Sequence, residues 1–263
     1  MMRLIFGGYT LLLGTLAIAP AAALLMFVYL RDRYEPEPKR LVLYVFLAGA
    51  FGILPAVIVE SALMAIRPGA GVLYLAFVAA GLVEESAKWG AVRLTAYRSR
   101  QFNEPMDGIV YAAAASLGFA TVENLLYVGA GGVATGLSRA FLAVPGHALF
   151  GVAMGHHMGL AKFAPDPGGR RRQLALSLVV PVLLHGLYDT LLLSSHPLLP
   201  WLVLPLVAAQ WFSALRQIRL AEEGSPFRPP HWRFRGVFRG WRPRLLASRR
   251  AKEGPPLTQE PSA

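Results

Sequence analysis

Seven stretches of about 20 or more mostly apolar residues run through this chain, separated by short loops rich in proline, glycine, arginine and lysine. In a helix rising ~1.5 Å per residue, about 20 such residues cross the ~30 Å hydrocarbon core of a bilayer. The pattern predicts an all-α, polytopic membrane protein with about seven transmembrane helices. The expected spans are about 6–30, 41–66, 71–96, 106–128, 138–162, 173–194 and 198–219. Pro36 and Pro38 separate the first two, Arg67-Pro68-Gly69 closes the second, Gly129-Ala130-Gly131-Gly132 the fourth and Ser194-Ser195-His196-Pro197 the sixth. Pro145 marks a kink or a late start in the fifth. The apolar run after Arg3 continues unbroken to Leu30, longer than the apolar region of a secretory signal, and is expected to stay as the first helix.

Composition agrees. Only 16% of the residues are charged, against roughly a quarter in a soluble domain, which leaves little room for one. There is no cysteine, so disulfides and a thiol nucleophile are excluded. A net charge of +11 raises nucleic acid as a partner. The cations, however, lie where membrane topology accounts for them, and no nucleic acid is expected. Loop one carries Arg31, Arg33, Lys39 and Arg40, loop three Arg98 and Arg100, and loop five Lys162 and Arg170 to Arg172, with Arg216 and Arg219 opening the C-terminal region. Loops two and four carry only Arg67 and Arg139, and loop six carries none. The alternation puts the N-terminus outside and the C-terminus in the cytoplasm.

Two regions follow, a transmembrane domain over 1–223 and a basic, proline- and arginine-rich cytoplasmic tail over 224–263. The tail interleaves Phe227, Trp232, Phe234, Phe238 and Trp241 with arginines. Residues 225–250 would suit an anionic lipid surface at ~1 kcal/mol per cation. A basic tail that only satisfies the positive-inside rule is the equal alternative.

An ionisable group in mid-membrane costs ~2.5–3.5 kcal/mol on insertion scales. Yet Glu84, Glu85 and Lys88 fall within five residues of the third span. Helical rise puts Glu84 and His185 roughly 18 Å from the cytoplasmic side, His147 roughly 22 Å, and Glu123 and Asp189 roughly 25 Å. A common depth on four helices points to a shared cavity. Spacings of four residues put Glu84 with Lys88, Phe119 with Glu123, and His185 with Asp189 on common helix faces. Asn124 follows Glu123, and on its own this pair suits a helix–helix clasp. His147, Gly151, Gly155 and Gly159 form a stripe that lets a neighbouring helix approach closely. His156, His157 and Glu60 are expected to be structural.

Carboxylates and imidazoles together suit the activation of a water molecule, one group taking the proton and others meeting an oxyanion. Glu84, His147 and His185 are also candidates to hold a divalent metal such as zinc, which would lower the pKa of bound water. There is no His-Glu-x-x-His motif. The same groups could form a proton or ion relay in a transport or binding protein.

Glu84-Glu85-x-x-Lys88, Phe119-x-x-x-Glu123-Asn124, His147 and His185-x-x-x-Asp189, with the loop Tyr34-Glu35-Pro36-Glu37-Pro38, resemble the PrsW family of intramembrane proteases over about 30–195. The resemblance implies a membrane-embedded endopeptidase in a bacterial inner membrane, cutting a membrane-anchored protein such as an anti-sigma factor. It leaves metallo- and glutamate-type catalysis open. By position, Glu84 is the base, Glu85 supports it, Lys88 holds one carboxylate and His185 faces the oxyanion. Helical spacing instead pairs Lys88 with Glu84. The wider group to which that family belongs, the CAAX-processing and bacteriocin-processing membrane proteases, commonly has His at the position of Glu123 and often Asn at that of Asp189. Neither acid donates a hydrogen bond unless protonated. His147 is then expected to supply the missing donor. The expected catalytic set is Glu84, Glu85, His185, His147, Glu123 and Asp189, supported by Lys88, Asn124 and Phe119.

Overall fold

Prolines and glycines decide where the helices of this protein break. A computed structural model describes residues 2–229, with side chains from Gly8 onward. Most of the tail expected to meet anionic lipid lies outside the described residues, which are helical without a strand. Helix α1 spans Met2–Arg31. Helices α2 (Lys39–Phe51) and α3 (Ile53–Ile66) meet at Gly52. Pro55, in the first turn of α3, has no N–H for the preceding turn, so the second expected span is broken there. The third also divides, into a π-helical stretch at Tyr74–Leu82 and α4 at Val83–Thr95.

Helix α5 (Pro105–Phe141) runs through the glycines expected to close the fourth span and breaks only at Gly132, where φ is +71°. Helix α6 (Ala143–Lys162) begins just before Pro145, which is therefore a first-turn residue and not a kink. Helix α7 (Pro167–Leu192) begins earlier than the expected position near 173. Asp166 caps it, accepting the Gly169 N–H at 2.8 Å, so Arg170 to Arg172 lie on helix and not in a loop. A short 3-10 turn, Leu199–Leu202, leads into α8, Val203–Glu223.

The first half of α5 is the centre of the bundle: residues 105–121 are all buried. Small residues make that possible. A Cβ at Gly49 of α2 would overlap the Ala115 backbone, and one at Gly118 would overlap that of Phe46. On α6, Gly155 lies on the Gly108 backbone, and a Cβ at Gly151 would meet Ala112 O at 2.9 Å. The glycine stripe thus packs α6 directly on α5 and brings His147 beside Phe119. On the other side, a Cβ at Gly81 would meet Val182 O at 3.3 Å, while Gly186 makes room for the Phe77 ring. That contact seats the π-helical stretch on α7 and turns Glu85 toward His185.

Five stretches of the described residues are long and apolar enough to cross a membrane: Gly8–Arg31, Lys39–Ile66, Pro105–Lys162, Pro167–Leu192 and Leu199–Glu223. The third joins α5 and α6 over 58 residues.

Candidate active site

Lys88 stands where four helices meet, and none of its side chain is exposed. Its ammonium reaches Glu84 Oε2 at 3.0 Å, Glu85 Oε1 at 2.8 Å and His147 Nδ1 at 3.0 Å. The Phe119 ring lies 4.5 Å from the same nitrogen, close enough for a cation–π contact. Helix α4 supplies the lysine and both glutamates because positions three and four apart share a helix face. All three N–H bonds of the ammonium are used, and none is free for a substrate.

The network continues in both directions. An ammonium only donates, so His147 Nδ1 accepts and the ring proton lies on Nε2, 2.8 Å from Glu123 Oε2. Arg139 Nη2 meets the same oxygen at 2.8 Å. Asn124 accepts from Arg139 Nε at 2.5 Å and donates to Ala17 O at 3.2 Å, and so clasps α5 to α1. On the other side, His185 Nδ1 lies 2.9 Å from Glu85 Oε1 and Nε2 lies 3.3 Å from Asp189 Oδ2. Both ring nitrogens face carboxylates, an arrangement satisfied by an imidazolium that donates twice.

The structure brings together all six residues of the expected catalytic set and the three supporting ones. The two glutamates differ. Lys88 contacts both, so helical spacing alone does not distinguish them. Glu85 is wholly buried, and Lys88 and His185 share one of its oxygens. The Glu84 side chain is 10% exposed, and its Oε1 makes no hydrogen bond among the described residues.

Other groups at the site escaped the sequence reading. Arg139 looked like a loop cation, but α5 turns at Gly132 and brings it back to Glu123. Phe150, one turn beyond His147, stacks on His185 with ring centroids 5.1 Å apart and meets Tyr188 edge-on. The i,i+3 spacing from His147 was the available signal. Glu60, read as structural, interacts electrostatically with Glu84 and Glu123. His157 bonds Gln173 at 2.7 Å with His156 against it, and neither has a contact with the network.

A second acidic cluster lies near the starts of α2 and α5. Oxygens of Asp32, Glu37 and Asp107 fall within 4.8 Å of one another. Asp32 Oδ2 accepts the Glu37 N–H at 3.1 Å, and the Tyr29 hydroxyl donates to the Glu37 carbonyl at 2.9 Å. At the start of α5, Asp107 Oδ2 accepts the N–H groups of Asn103 and Glu104 at 2.5 and 2.8 Å. Burial pushes the carboxyl of Asp32 up to about 6, of Glu37 to about 7 and of Glu104 to about 8.

The model of the PrsW family, intramembrane metalloproteases, matches residues 37–213. Protease PrsW of Geobacillus kaustophilus is 44% identical over 205 residues, covering 78% of this chain and 90% of the relative. Protease PrsW of Bacillus subtilis is 42% identical over 206 residues, covering 78% and 93%. That of Clostridioides difficile is 33% identical over 188 residues, covering 69% and 79%. No solved structure matches.

Proposed function

The chain belongs to the PrsW family of intramembrane proteases, and on that premise we propose that Glu84 is the base that activates water for peptide-bond hydrolysis. The protein is an integral membrane protein and a peptide hydrolase. The observation that carries the role of Glu84 is an unbonded Oε1 on a partly exposed side chain, whereas the unbonded Oε2 of Glu85 is sealed in the interior. Water bound at that oxygen gives up a proton as its own oxygen adds to the scissile carbonyl. The proton then passes from Glu84 to the leaving amide nitrogen, and the C–N bond breaks. The oxyanion needs a donor. His147 Nδ1 accepts from Lys88, and its Nε2 lies 2.8 Å from Glu123 Oε2. The longest contact in the network is from His185 Nε2 to Asp189, at 3.3 Å. His185 therefore shares this N–H between Asp189 and the oxyanion, so that Asp189, with Glu85 at Nδ1, keeps the ring oriented. His147, expected from sequence to be the donor, instead positions Lys88.

The family description implies a metal. Glu84, Glu85 and His147 offer donors within 4.8 Å of one another and of a type that zinc accepts. The Lys88 ammonium stands among them at 2.8 to 3.0 Å, in the space an ion would take. As arranged, these residues do not fit a metal. His185, the other sequence candidate, has both nitrogens engaged by carboxylates.

The substrate would be a membrane-anchored protein, such as an anti-sigma factor, cut within or beside its span. Bacterial relatives support a bacterial inner membrane as the location. Seven crossings follow if the segment holding the π-helical stretch and α4 spans the membrane, and if α5 and α6 count separately. At ~1.5 Å per residue their 58 residues would extend about 87 Å, far more than one bilayer. The cation pattern supports an outside N-terminus and a cytoplasmic tail over 224–263. The chain lacks cysteine, so single replacements report topology without background. In whole cells an impermeant maleimide should label Ser195→Cys, and should label Ser99→Cys only after lysis. The reverse pattern overturns the orientation.

For the activity, Glu84→Gln should insert and fold but release no new N-termini from single-span membrane proteins. Normal turnover by this variant would remove the base assignment.

A further inference from the structure

We propose that Asp32, Glu37 and Asp107, with Glu104 beside them, bind a hard divalent cation of the Ca²⁺ or Mg²⁺ class that fastens the α1–α2 loop to the start of α5. The site is separate from the Lys88 network and does not depend on the protease reading.

The first observation is geometric. Hard cations take oxygen ligands at ~2.3–2.6 Å for Ca²⁺, so donors on opposite sides of one ion stand ~5 Å apart. The oxygens of Asp32, Glu37 and Asp107 converge within 4.8 Å, from two separate segments. The second observation is the state of the oxygens left over. Asp32 Oδ1, Glu104 Oε2 and Asp107 Oδ1 are buried without a hydrogen-bond partner, on residues only 3%, 1% and 0% exposed. An unsatisfied buried acceptor costs ~1–3 kcal/mol, and more when charged. Three in one place call for a shared ligand.

The neighbours of these oxygens narrow the choice. Carboxylates face carboxylates, Glu104 against Asp32 and Glu37 against Asp107. A shared proton in each pair is the alternative occupant, since the remaining oxygens already accept from the Glu37, Asn103, Glu104 and Asp107 N–H groups and the Tyr111 hydroxyl, and titration with Tb³⁺ separates protons from an ion. One dication meets several of the unpartnered oxygens at once. The surrounding donors are oxygens: the Tyr111 hydroxyl bonds Glu37 Oε2, and the buried Asn103 Oδ1 is also without a partner. Oxygen donors without imidazole or thiolate suit Ca²⁺ or Mg²⁺ rather than zinc. The ion would brace the helix that carries Phe119 and Glu123 and packs on α6.

The test uses the full-length protein, purified in detergent, stripped with EDTA and titrated with TbCl₃. Tyr111, in contact with Glu37, should sensitise Tb³⁺ emission. The expected result is a saturable signal displaced by CaCl₂ or MgCl₂, present in Glu84→Gln, and weakened about tenfold or more in Glu37→Gln, which loses a charged ligand. Saturating CaCl₂ should raise the Tm of the stripped protein by about 5 °C, and by much less in Glu37→Gln. Asp32→Asn serves if Glu37→Gln does not fold. Three results overturn the proposal: no saturable emission, equal emission with and without the Glu37 or Asp32 carboxylate, or emission lost only in Glu84→Gln. The first would leave paired, protonated acids, and the last would put the ion at the Lys88 network.

Discussion

Glu85 and Glu104 are both buried carboxylates, 0% and 1% exposed, yet their surroundings differ in kind. Glu85 is met by the Lys88 ammonium and the His185 ring, with Arg139 holding Glu123 further along the same network. Glu104 is met by the Asp107 N–H across the helix cap, the Ser225 hydroxyl and the carboxyl of Asp32. In the first cluster the chain supplies its own counter-charges, and of the two α4 carboxylate oxygens left without a hydrogen bond among the described residues, Glu84 Oε1 and Glu85 Oε2, only the first is on a partly exposed side chain. In the second, backbone and hydroxyl dipoles soften the cost of burial but do not cancel the charge. That cluster needs protons or an ion from outside. The contrast separates a cluster built to react from one built to hold.

The largest effect should come from removing the counter-charge. Lys88→Met leaves two buried carboxylates facing each other. Breaking a buried pair in this way costs ~3–5 kcal/mol, enough to unfold many domains. Thermal unfolding in detergent should show the loss. Changing Glu84 and Glu85 to Gln together with Lys88→Met should recover most of it, since removing a whole ionic group is often nearly neutral. A Lys88→Met protein as stable as the parent would mean that the ammonium is not what compensates these acids.

The next effect separates the two glutamates. Glu84→Gln should slow cleavage by ~10²–10⁴-fold, the usual worth of a general base, with a smaller change in Tm than Glu85→Gln, because its amide oxygen can still accept from Lys88. Glu85→Gln should lower both rate and Tm, because it removes the carboxylate shared by Lys88 and His185. If Glu85→Gln keeps its Tm and Glu84→Gln does not, the roles are exchanged.

Much of this site was legible in the sequence, and the missing parts have physical reasons. Charges in an apolar span are costly, so Glu84, Glu85 and Lys88 stood out. Their depth and helical spacing grouped them with His147, His185, Glu123 and Asp189. The two glutamates could not be told apart because Lys88 reaches both an i−3 and an i−4 neighbour. Arg139 was missed because its return to Glu123 depends on a positive φ at Gly132 inside a continuous helix. The π-helical stretch before Glu84 has no simple sequence signature, since it shares its apolar composition with any span. The second cluster was invisible because Asp32, Glu37, Glu104 and Asp107 lie at helix ends, where acids are ordinarily solvated. Only folding shows them buried together.

A smaller change probes the loosest contact of the first cluster. Asp189→Asn keeps a hydrogen-bonding oxygen near His185 Nε2 but removes its charge. A single hydrogen bond is worth ~0.5–1.5 kcal/mol, so cleavage should slow by about 3–10-fold with Tm nearly constant. Asp189→Leu should lose more, because the imidazole would be free to turn. Equal rates in both variants would mean that Asp189 does not orient His185.

Chelation draws the comparison most finely, because it should act on one cluster and spare the other. With Lys88 among the donors of the first cluster, EDTA treatment should change the cleavage rate by less than about twofold, a barrier change below about 0.4 kcal/mol. The same treatment should lower Tm, because the second cluster loses the ion that joins its carboxylates. Metal analysis before and after chelation would follow the ion itself, and Glu37→Gln should lack it from the start. Loss of cleavage on chelation, restored by zinc and unaffected by Glu37→Gln, would invert the picture: Lys88 would have to leave the donor triangle, and the first cluster would be the one that borrows its charge.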